Sequence, residues 1–241
     1  MRVAELWRYP VKSLQGERLT EAEVGPLGLE GDRRWALFDR ETGFGLTARR
    51  VPELLFGAAR LRPDGAVEVV LPDGTVTADE AALSRWLGRR VELRAAPEDD
   101  ADVPVYESAV DDDEPDPAEW LQWEGAPGPF HDSPRIRLSL VSTGTLGTWD
   151  RRRFRANVVL DGAGEDALRG TEAGLGGARL RFGTGIPRCV MTTRPQPGGI
   201  ARDTSVLKTV HREREGLLAV RAAVVTPGRV RVGDELRRTA D

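Results

Sequence analysis

Short apolar runs separated by glycine and proline turns recur along most of this chain, and their spacing limits what it can fold into. The turn signal PDG occurs twice, and such signals separate the strand-like runs. The chain also holds 27 glycines and 16 prolines, which favour turns. In the first part the strand-like runs are residues 2–11, 18–24, 33–39, 59–62, 67–71 and 91–95. Several short strands with regular turns predict a β-barrel.

The second part of the chain repeats this strand-like pattern, and two segments of the chain are predicted to be helical. The strand-like runs there are residues 135–142, 154–161, 178–184, 188–193, 217–225 and 229–236. One helix is predicted over 78–89, where Asp79 can cap the N-terminus and apolar residues recur at helical spacing. The other is predicted over 204–215. The predicted fold class is therefore mainly β (α+β), with a few helices.

An acidic, proline-rich stretch separates the two series of strands. Residues 97–119 read PEDDADVPVYESAVDDDEPDPAE and hold little apolar content. This composition favours a solvated linker or exposed insertion, and a docking surface for a basic partner is the alternative. We therefore predict an N-terminal β-barrel domain over 1–96, an acidic linker or insertion over 97–131, and a C-terminal domain over 132–241.

Composition and charge exclude several classes of protein. The formal net charge of −4 argues against nucleic-acid binding, which needs a basic surface. A single cysteine excludes an internal disulfide and any four-cysteine zinc or iron–sulfur site, and two histidines argue against a histidine-built metal site. No apolar run approaches the roughly 18 residues of a membrane span, and the first residues lack a signal-peptide core. A cytoplasmic location without membrane attachment is expected.

The single cysteine, Cys189, lies between Arg188 and a short VMTT run. A thiolate is the reactive and metal-binding form of cysteine, and a cation that shares its pocket stabilises that form. Neighbouring residues on a strand face opposite sides, so Arg188 and Cys189 converge only where Pro187 or a bulge disturbs the alternation. The alternative is a small buried core residue, which is a common environment for cysteines outside disulfides.

A second cluster lies in the segment RRRFRANVVL. Arg155 and Asn157 are two residues apart on a predicted strand, so they project from one face, and Arg153 can join them. An arginine offers a planar fork that suits phosphate, and an asparagine offers a donor and an acceptor for the edge of a heterocycle. Arg155 and Asn157 together therefore suit a ligand that carries a phosphate and a heterocycle.

Two more clusters lie in the N-terminal half. Lys12 and Ser13 place an ammonium group and a hydroxyl at the end of a predicted strand, and GLEGDRRW directs Arg33 or Arg34 inward. A thiol, several cations and an amide together suit an anionic, phosphate-bearing cofactor with a soft position for a metal ligand.

These clusters lie within motifs that resemble one protein family. The N-terminal half carries LWRYPVKSLQGE and GLEGDRRWALFDRETGFGLTARRVPELL, and the C-terminal half carries RFRANVVLDG, PRCVMTT and TPGRVRVGDEL. In this order they resemble MOSC-domain proteins with an N-terminal MOSC β-barrel domain, the architecture of the amidoxime-reducing component and of the C-terminal region of molybdenum cofactor sulfurase. The resemblance covers the chain except 97–119, and it implies a C-terminal MOSC β-barrel with a few helices.

The resemblance also implies a molybdenum cofactor (molybdopterin), bound in a cleft between the two domains. Cys189 would then be the catalytic residue and the thiolate ligand of the molybdenum, with Arg188 supporting its loop. His131 and Asp132 resemble the family's entry into the MOSC half and are interpreted as structural. The other implied cofactor-binding residues are Lys12, Ser13 and Arg33 at the phosphate, Arg155 and Asn157 at the pterin, Ser142 and Thr143 at a strand end, and Thr192 with Thr193 as polar lining.

Two departures from the family pattern bear on the substrate. Arg194, Pro195 and Gln196 stand where relatives usually continue with a Val-Asp-Pro type segment. The acidic group that relatives carry near the substrate mouth is therefore missing or displaced. RFRAN also replaces the commoner RFRPN, which is a mild change.

Three functions stay open on the sequence. The first is an oxidoreductase that reduces N-hydroxylated small molecules with electrons from a separate ferredoxin- or cytochrome-type donor protein. The second is a sulfur carrier with a persulfide on Cys189, or a carrier of the cofactor itself. The third is a β-barrel binding module without redox chemistry, in which loss of the thiol would leave ligand binding intact.

Overall fold

Strands dominate the computed structural model, which describes residues 1–97, 103–110 and 120–238. The prediction of a mainly β protein with a few helices is therefore confirmed. The strands, in chain order, are β1 (Val3–Arg8), β2 (Glu17–Leu19), β3 (Glu21–Gly25), β4 (Gly28–Leu29), β5 (Trp35–Asp39), β6 (Ala58–Leu61), β7 (Val67–Val70), β8 (Val76–Thr77), β9 (Val91–Ala95), β10 (Val105–Ser108), β11 (Leu121–Glu124), β12 (Leu138–Ser142), β13 (Val158–Leu160), β14 (Glu172–Leu175), β15 (Ala178–Pro187), β16 (Leu217–Thr226), β17 (Gly228–Arg231) and β18 (Leu236–Arg238).

The helices are short. They are α1 (Glu80–Leu87), α2 (Thr143–Leu146) and α3 (Ser205–Arg214), with 3-10 turns at Pro52–Phe56, Arg151–Arg153, Glu165–Leu168 and Val190–Thr193. Within the described part of the chain, no helix has both the length and the apolar character needed to span a bilayer.

Two compact units divide the chain, and each draws on separated segments. We call them the thiol unit, which contains Cys189, and the lysine unit, which contains Lys12. The N-terminal strand β1 therefore folds with the C-terminal half of the chain. The thiol unit comprises residues 1–8, 18–30 and the chain from 135 onward, and the lysine unit comprises residues 9–17 and 31–134.

An eight-stranded sheet organises the thiol unit, in the order β18-β14-β15-β16-β12-β13-β1-β2. β12 and β13 pair in parallel, whereas β12–β16, β14–β15 and β15–β16 are antiparallel. Alternate residues of β15 are buried, among them Leu180 and Phe182, and they belong to one apolar cluster with Leu140 and Val220. Burial of each such side chain contributes about 1.5–3 kcal/mol, so this cluster stabilises the sheet that carries the thiol.

Smaller sheets form the lysine unit, namely β5–β9, β6–β7–β8 and β10–β11. β9 covers residues 91–95, as predicted. Helix α1 begins where the sequence places its cap, because the Asp79 side chain accepts a hydrogen bond from the N–H of Ala82 at 2.9 Å. The helix ends at Gly88, whose left-handed conformation suits its termination.

The prediction of a linker over the acidic stretch is wrong for residues 103–110. They contain β10, which pairs with β11, and Tyr106 on β10 is fully buried and stacks on Trp123 with ring centres 4.7 Å apart. The segment VYES thus forms a strand despite the acidic surroundings. The other acidic residues, 98–102 and 111–119, lie outside the described residues.

A second correction concerns the predicted strand over 188–193. β15 ends at Pro187, and Val190–Thr193 form a 3-10 turn instead. The predicted strand over 154–161 is also shorter, since only Val158–Leu160 pair as β13. Arg155 precedes that strand, and its left-handed conformation, with φ of +50°, is incompatible with an extended chain.

The β3–β4 hairpin requires glycine at one position. Gly25 pairs with Gly28. Gly28 has φ of +104°, and a Cβ atom there would lie 2.1 Å from the main-chain oxygen of Arg137. A residue with a side chain at position 28 would therefore have a strained backbone, and its Cβ atom would clash with the carbonyl of Arg137.

Gly28→Ala is expected to lower the free energy of unfolding by about 2–4 kcal/mol, because strain and the clash with Arg137 add. Urea unfolding followed by tryptophan fluorescence measures the change. Gly25→Ala is the matched control, since nothing lies within 4 Å of a Cβ atom there, and its expected cost is below about 1 kcal/mol. Equal losses in the two variants would contradict the requirement for glycine at residue 28.

Candidate functional site

Cys189 lies near the start of an irregular segment, the thiol loop, which we define as residues 188–203. β15 ends just before this loop, and the N–H of Arg188 donates to the carbonyl of Gly216 at 3.0 Å. Cys189 itself is exposed to solvent. The alternative of a cysteine buried in an apolar core is therefore wrong.

Two threonines build the turn after Cys189. Thr192 donates its N–H (3.1 Å) and its hydroxyl (3.0 Å) to the carbonyl of Cys189. Thr193 donates its hydroxyl to the carbonyl of Val190 at 2.7 Å, and both threonines are buried. These hydroxyls close the 3-10 turn, so the contacts of Thr192 are structural and its role as a cofactor-lining residue stays a prediction.

Arg188 fastens the start of the thiol loop to two other segments. Its Nε donates to the carbonyl of Leu218 at 2.9 Å and its Nη1 to that of Phe154 at 3.0 Å. Leu218 lies where the β15–β16 register shifts, next to Ala219 with φ of +70°. This irregularity is a β-bulge, a feature that re-aims groups at the edge of a site. Through these two hydrogen bonds the Arg188 side chain fixes the position of its own residue, which precedes Cys189.

Asn157 joins three strands of the thiol unit. Its Oδ1 accepts the hydroxyl proton of Ser139, on β12, at 3.0 Å, and its Nδ2 donates to the carbonyl of Trp7, on β1, at 3.2 Å. Asn157 is 2% exposed. Both ends of the amide are therefore bonded to protein, a structural role that the sequence did not reveal, and its place against a pterin stays a prediction.

Ser142 and Thr143 lie at the far end of the same strand pair. In the parallel β12–β13 register Ser142 lies opposite a residue three positions beyond Asn157, about 10 Å along the strands. The Ser142 hydroxyl donates to Oε2 of Glu165 at 2.5 Å, and the Thr145 hydroxyl donates to the same oxygen at 2.9 Å. Glu165 is fully buried, and sequence reasoning did not single it out. These contacts connect Ser142 to a buried acid.

Asp150 and Arg152 form an ion pair with several hydrogen bonds, and Arg152 also contacts the thiol loop. The Asp150 carboxylate accepts from the N–H of Arg152 at 2.9 Å and from its guanidinium at 2.7 and 2.9 Å. The hydrogen bonds from Arg152 hold the pKa of Asp150 below its usual value, and those to Asp150 raise the pKa of Arg152. Nη1 of Arg152 donates to the carbonyl of Pro197 at 2.8 Å. The aspartate before three arginines was the sequence signal for this pair.

Protein groups enclose Lys12 in the lysine unit. It is 3% exposed, donates to the carbonyl of Phe130 at 3.2 Å, and pairs with Asp132, whose side chain is 81% exposed. Its ammonium lies 4.8 Å from the ring centre of Tyr106 and 6.0 Å from that of Trp123. Burial, aided by the charge of Asp132, raises the pKa of Tyr106. An anionic ligand at Lys12 would compete with an exposed carboxylate.

Ser13 and Arg33 share an uncommon backbone conformation, with φ of +69° and +52°. The Ser13 hydroxyl accepts a hydrogen bond from the N–H of Ala48 at 3.0 Å. The Arg33 guanidinium pairs with Asp32 and lies 4.5 Å from the ring centre of Tyr9. The left-handed region costs a residue other than glycine about 1–2 kcal/mol, and such strain is retained mainly where a site requires it.

The donor atoms of the described residues limit how a metal could be held. Within residues 1–97, 103–110 and 120–238, no three histidine, cysteine, aspartate or glutamate side chains gather into a metal site. A metal at Cys189 would therefore need most of its ligands from a cofactor. An exposed thiol on an arginine-bonded loop fits a cofactor that brings its own sulfur ligands and carries negative charge.

Two family models match the chain. The MOSC N-terminal beta barrel domain matches residues 1–112, and the MOSC domain matches residues 133–237. The chain therefore belongs to the MOSC-domain proteins that carry the N-terminal MOSC β-barrel domain, as its motifs predicted.

Two mammalian proteins are similar over most of the chain. The mitochondrial amidoxime-reducing component 1 of Mus musculus is 27% identical in an alignment of 276 positions, gaps included, which covers 96% of this chain and 80% of that protein. The mitochondrial amidoxime reducing component 2 of Bos taurus is 26% identical over 247 aligned residues, covering 88% and 72%. Among solved structures, the YUAD protein from Bacillus subtilis matches at a TM-score of 0.43 and 13% identity, covering 100% of this chain and 96% of that one.

Asn157→Ala is expected to lower the free energy of unfolding by about 2–3 kcal/mol, because buried groups on β1 and β12 lose their partner. Urea unfolding of the cofactor-free protein measures it. Thr143→Ala is the control, because Thr143 is exposed and should cost less than about 1 kcal/mol. If the free energy of unfolding falls no further in Asn157→Ala than in Thr143→Ala, Asn157 does not have this structural role.

The depressed pKa of Asp150 gives a pH-dependent contribution to stability. A carboxyl group with a lowered pKa in the folded state stabilises the fold above its ordinary pKa, here 3.8, and that contribution is lost as pH falls below it. Asp150→Asn is expected to cost about 1 kcal/mol at pH 7, and this difference from the wild type should shrink as the pH falls below 3.8. Urea unfolding over a series of pH values tests this, and a difference that does not change with pH would contradict the ion pair.

Proposed function

We propose that this chain is a molybdenum-cofactor-dependent oxidoreductase that reduces N-hydroxylated small molecules with electrons from a separate donor protein. The observation that carries the proposal is the exposed Cys189 on an arginine-bonded loop. Support comes from similarity along 96% of the chain to a protein named as an amidoxime-reducing component. A cytoplasmic location, predicted from the sequence, is part of the proposal.

In this proposal Cys189 supplies a thiolate to the molybdenum, and the protein holds that sulfur in place. When bound, the cofactor would supply a redox-active metal that passes electrons from the donor protein to the N-hydroxylated substrate. Arg188 keeps the residue next to the thiol fixed through the carbonyls of Phe154 and Leu218.

Backbone strain supports the assignment of three further residues to the cofactor. Ser13, Arg33 and Arg155 have φ of +69°, +52° and +50°. The other described non-glycine residues with positive φ are Glu215, which ends α3, and Ala219 in the β16 bulge. Three predicted cofactor-binding residues thus share a costly conformation that geometry at a site would explain.

The two predicted phosphate-binding cations of the lysine unit differ in how they are paired. Arg33 pairs with Asp32, whose side chain is fully buried and also accepts the N–H of Tyr9 at 2.8 Å. Lys12 pairs with Asp132, which is exposed and can turn away into water. A phosphate would therefore displace Asp132 more readily than Asp32, so we assign Lys12 the direct contact.

Protons for the reduction would come from solvent. A general acid needs a pKa near the working pH, whereas two carboxyl groups of this region have depressed values. Hydrogen bonds from Arg152 lower the pKa of Asp150, and those from Ser205 lower the pKa of Asp203. Both acids therefore stay ionised, and the exposure of Cys189 leaves the site open to water.

The exposure of Cys189 equally favours the second candidate function, a carrier of sulfur or of the cofactor. A persulfide must be accessible to pass its outer sulfur to an acceptor. Protein purified from a host that makes the cofactor separates the two candidates. Stoichiometric molybdenum and pterin with turnover of an N-hydroxylated substrate support the oxidoreductase, and the same content without turnover supports a cofactor carrier. Cyanide-releasable sulfur on a metal-free protein supports the sulfur carrier.

Cys189→Ser is expected to reduce turnover of an aromatic amidoxime to background, because a hydroxyl is a poor substitute for a soft thiolate ligand. Reduced methyl viologen as electron source makes the assay independent of the donor protein. Met191→Leu is the control, since it removes the neighbouring sulfur of the same turn and should keep turnover. A Cys189→Ser protein that is fully loaded with molybdenum and turns over normally would overturn the assignment.

A further inference from the structure

Arg153 makes three hydrogen bonds to the thiol loop. Its Nη1 donates to the carbonyls of Thr192 at 3.0 Å and Arg194 at 3.2 Å, and its Nη2 donates to that of Ala201 at 2.7 Å. These partners lie 39, 41 and 48 residues away along the chain. One side chain thus bonds carbonyls on both sides of the loop.

Thr192 connects Arg153 to Cys189 through hydrogen bonds. The carbonyl of Thr192 accepts from Arg153, while its N–H and hydroxyl both donate to the carbonyl of Cys189. The guanidinium is therefore separated from the main chain of the cysteine by one residue that is bonded at both ends. A displacement of Arg153 is transmitted to the turn that carries the thiol.

Arg152 holds the tip of the same loop. Its Nη1 bonds the carbonyl of Pro197, and its other nitrogens are fixed by Asp150. A Cβ atom on Gly198 would lie 2.9 Å from Nη1 of Arg152, so the side chain and the tip are in close contact. Arg153 thus bonds the base of the loop, and Arg152 bonds its tip.

We propose that Arg153 is a positioning residue for Cys189. The thiol loop contains two glycines and two prolines, and few of its carbonyls have partners in a sheet. A planar guanidinium with several donors bonds the carbonyls on both sides of the loop at once, which a single ammonium does less well. This fixes the loop before any ligand binds, so that less ordering accompanies binding. The inference rests on the proposed function, since it concerns the presentation of Cys189 to the cofactor.

Amide hydrogen exchange of the cofactor-free protein tests the positioning directly. The reporting amides are those of Thr192, Gln196 and Asp203, which donate to Cys189, Ile200 and Thr193. In Arg153→Met their exchange should become at least about tenfold faster, while the sheet amide of Phe182 should be unchanged. Arg153→Lys should accelerate the same amides to a smaller extent, and it keeps the test available if Arg153→Met folds poorly.

Arg181→Met is the matched control. It removes one arginine from the same unit, and that side chain is 66% exposed and pairs with Glu172. Exchange in the thiol loop should stay at the wild-type rate. If exchange in Arg153→Met is unchanged in the loop, or becomes faster throughout the sheet, the positioning role is wrong and Arg153 is at most a structural residue.

Retention of the cofactor provides the second readout. Release of pterin from loaded protein, followed by its fluorescence, should be at least about tenfold faster in Arg153→Met and unchanged in Arg181→Met. Faster exchange with unchanged release would overturn the link between Arg153 and Cys189. If the wild type takes up no cofactor, the proposed function fails, and the exchange measurement alone then decides whether Arg153 holds the loop.

Discussion

Hydrogen bonds from arginine side chains to main-chain carbonyls hold the irregular part of the thiol unit together. Strands bond their carbonyls within the sheet, but the segments around Cys189 are not strands, and their carbonyls need other donors. Arg188 bonds two carbonyls on other segments, and Arg152 and Arg153 bond four carbonyls of the thiol loop. The guanidinium suits this task because it is planar, permanently charged and offers five donors. These bonds add to the main-chain and threonine contacts that already fix the turn after Cys189.

The same arginines also set the charge around the thiol. Residues 150–155 and 188–203 together contain seven arginines and two aspartates, although the whole chain has a net charge of −4. Positive charge is thus concentrated on the segments that carry and hold Cys189. In the lysine unit the predicted cations are instead neutralised by carboxylates, one buried and one exposed. An anionic group would therefore meet permanent positive charge in the thiol unit, whereas at Lys12 in the lysine unit it would have to displace a carboxylate.

Local sequence patterns predicted most of the regular structure, and the two main errors have different causes. β9 and the cap of α1 are where the sequence placed them, and α3 differs by one residue at each end. The predicted strand over 188–193 is a turn, because the threonine hydroxyls bond nearby carbonyls and replace pairing with a neighbour. Part of the acidic stretch is a strand, because Tyr106 packs on Trp123, a partner distant in sequence. The first outcome depends on hydrogen bonds between residues three positions apart, which a strand-like composition conceals. The second depends on a partner that lies outside a local window of sequence.

The amino-acid sequence alone determined the family, the mainly β class and the residue that carries the proposed chemistry, since one cysteine in an ordered series of motifs leaves a single candidate. Tertiary structure alone decided that this sulfur is exposed, that Asn157 bonds two other strands, and that Lys12 is paired with Asp132. It also revealed the contact between Arg153 and the thiol loop. The physical reason is range: alternation, capping and turn preferences act within a few residues, whereas burial and hydrogen-bond partners depend on residues 18 to 150 positions away.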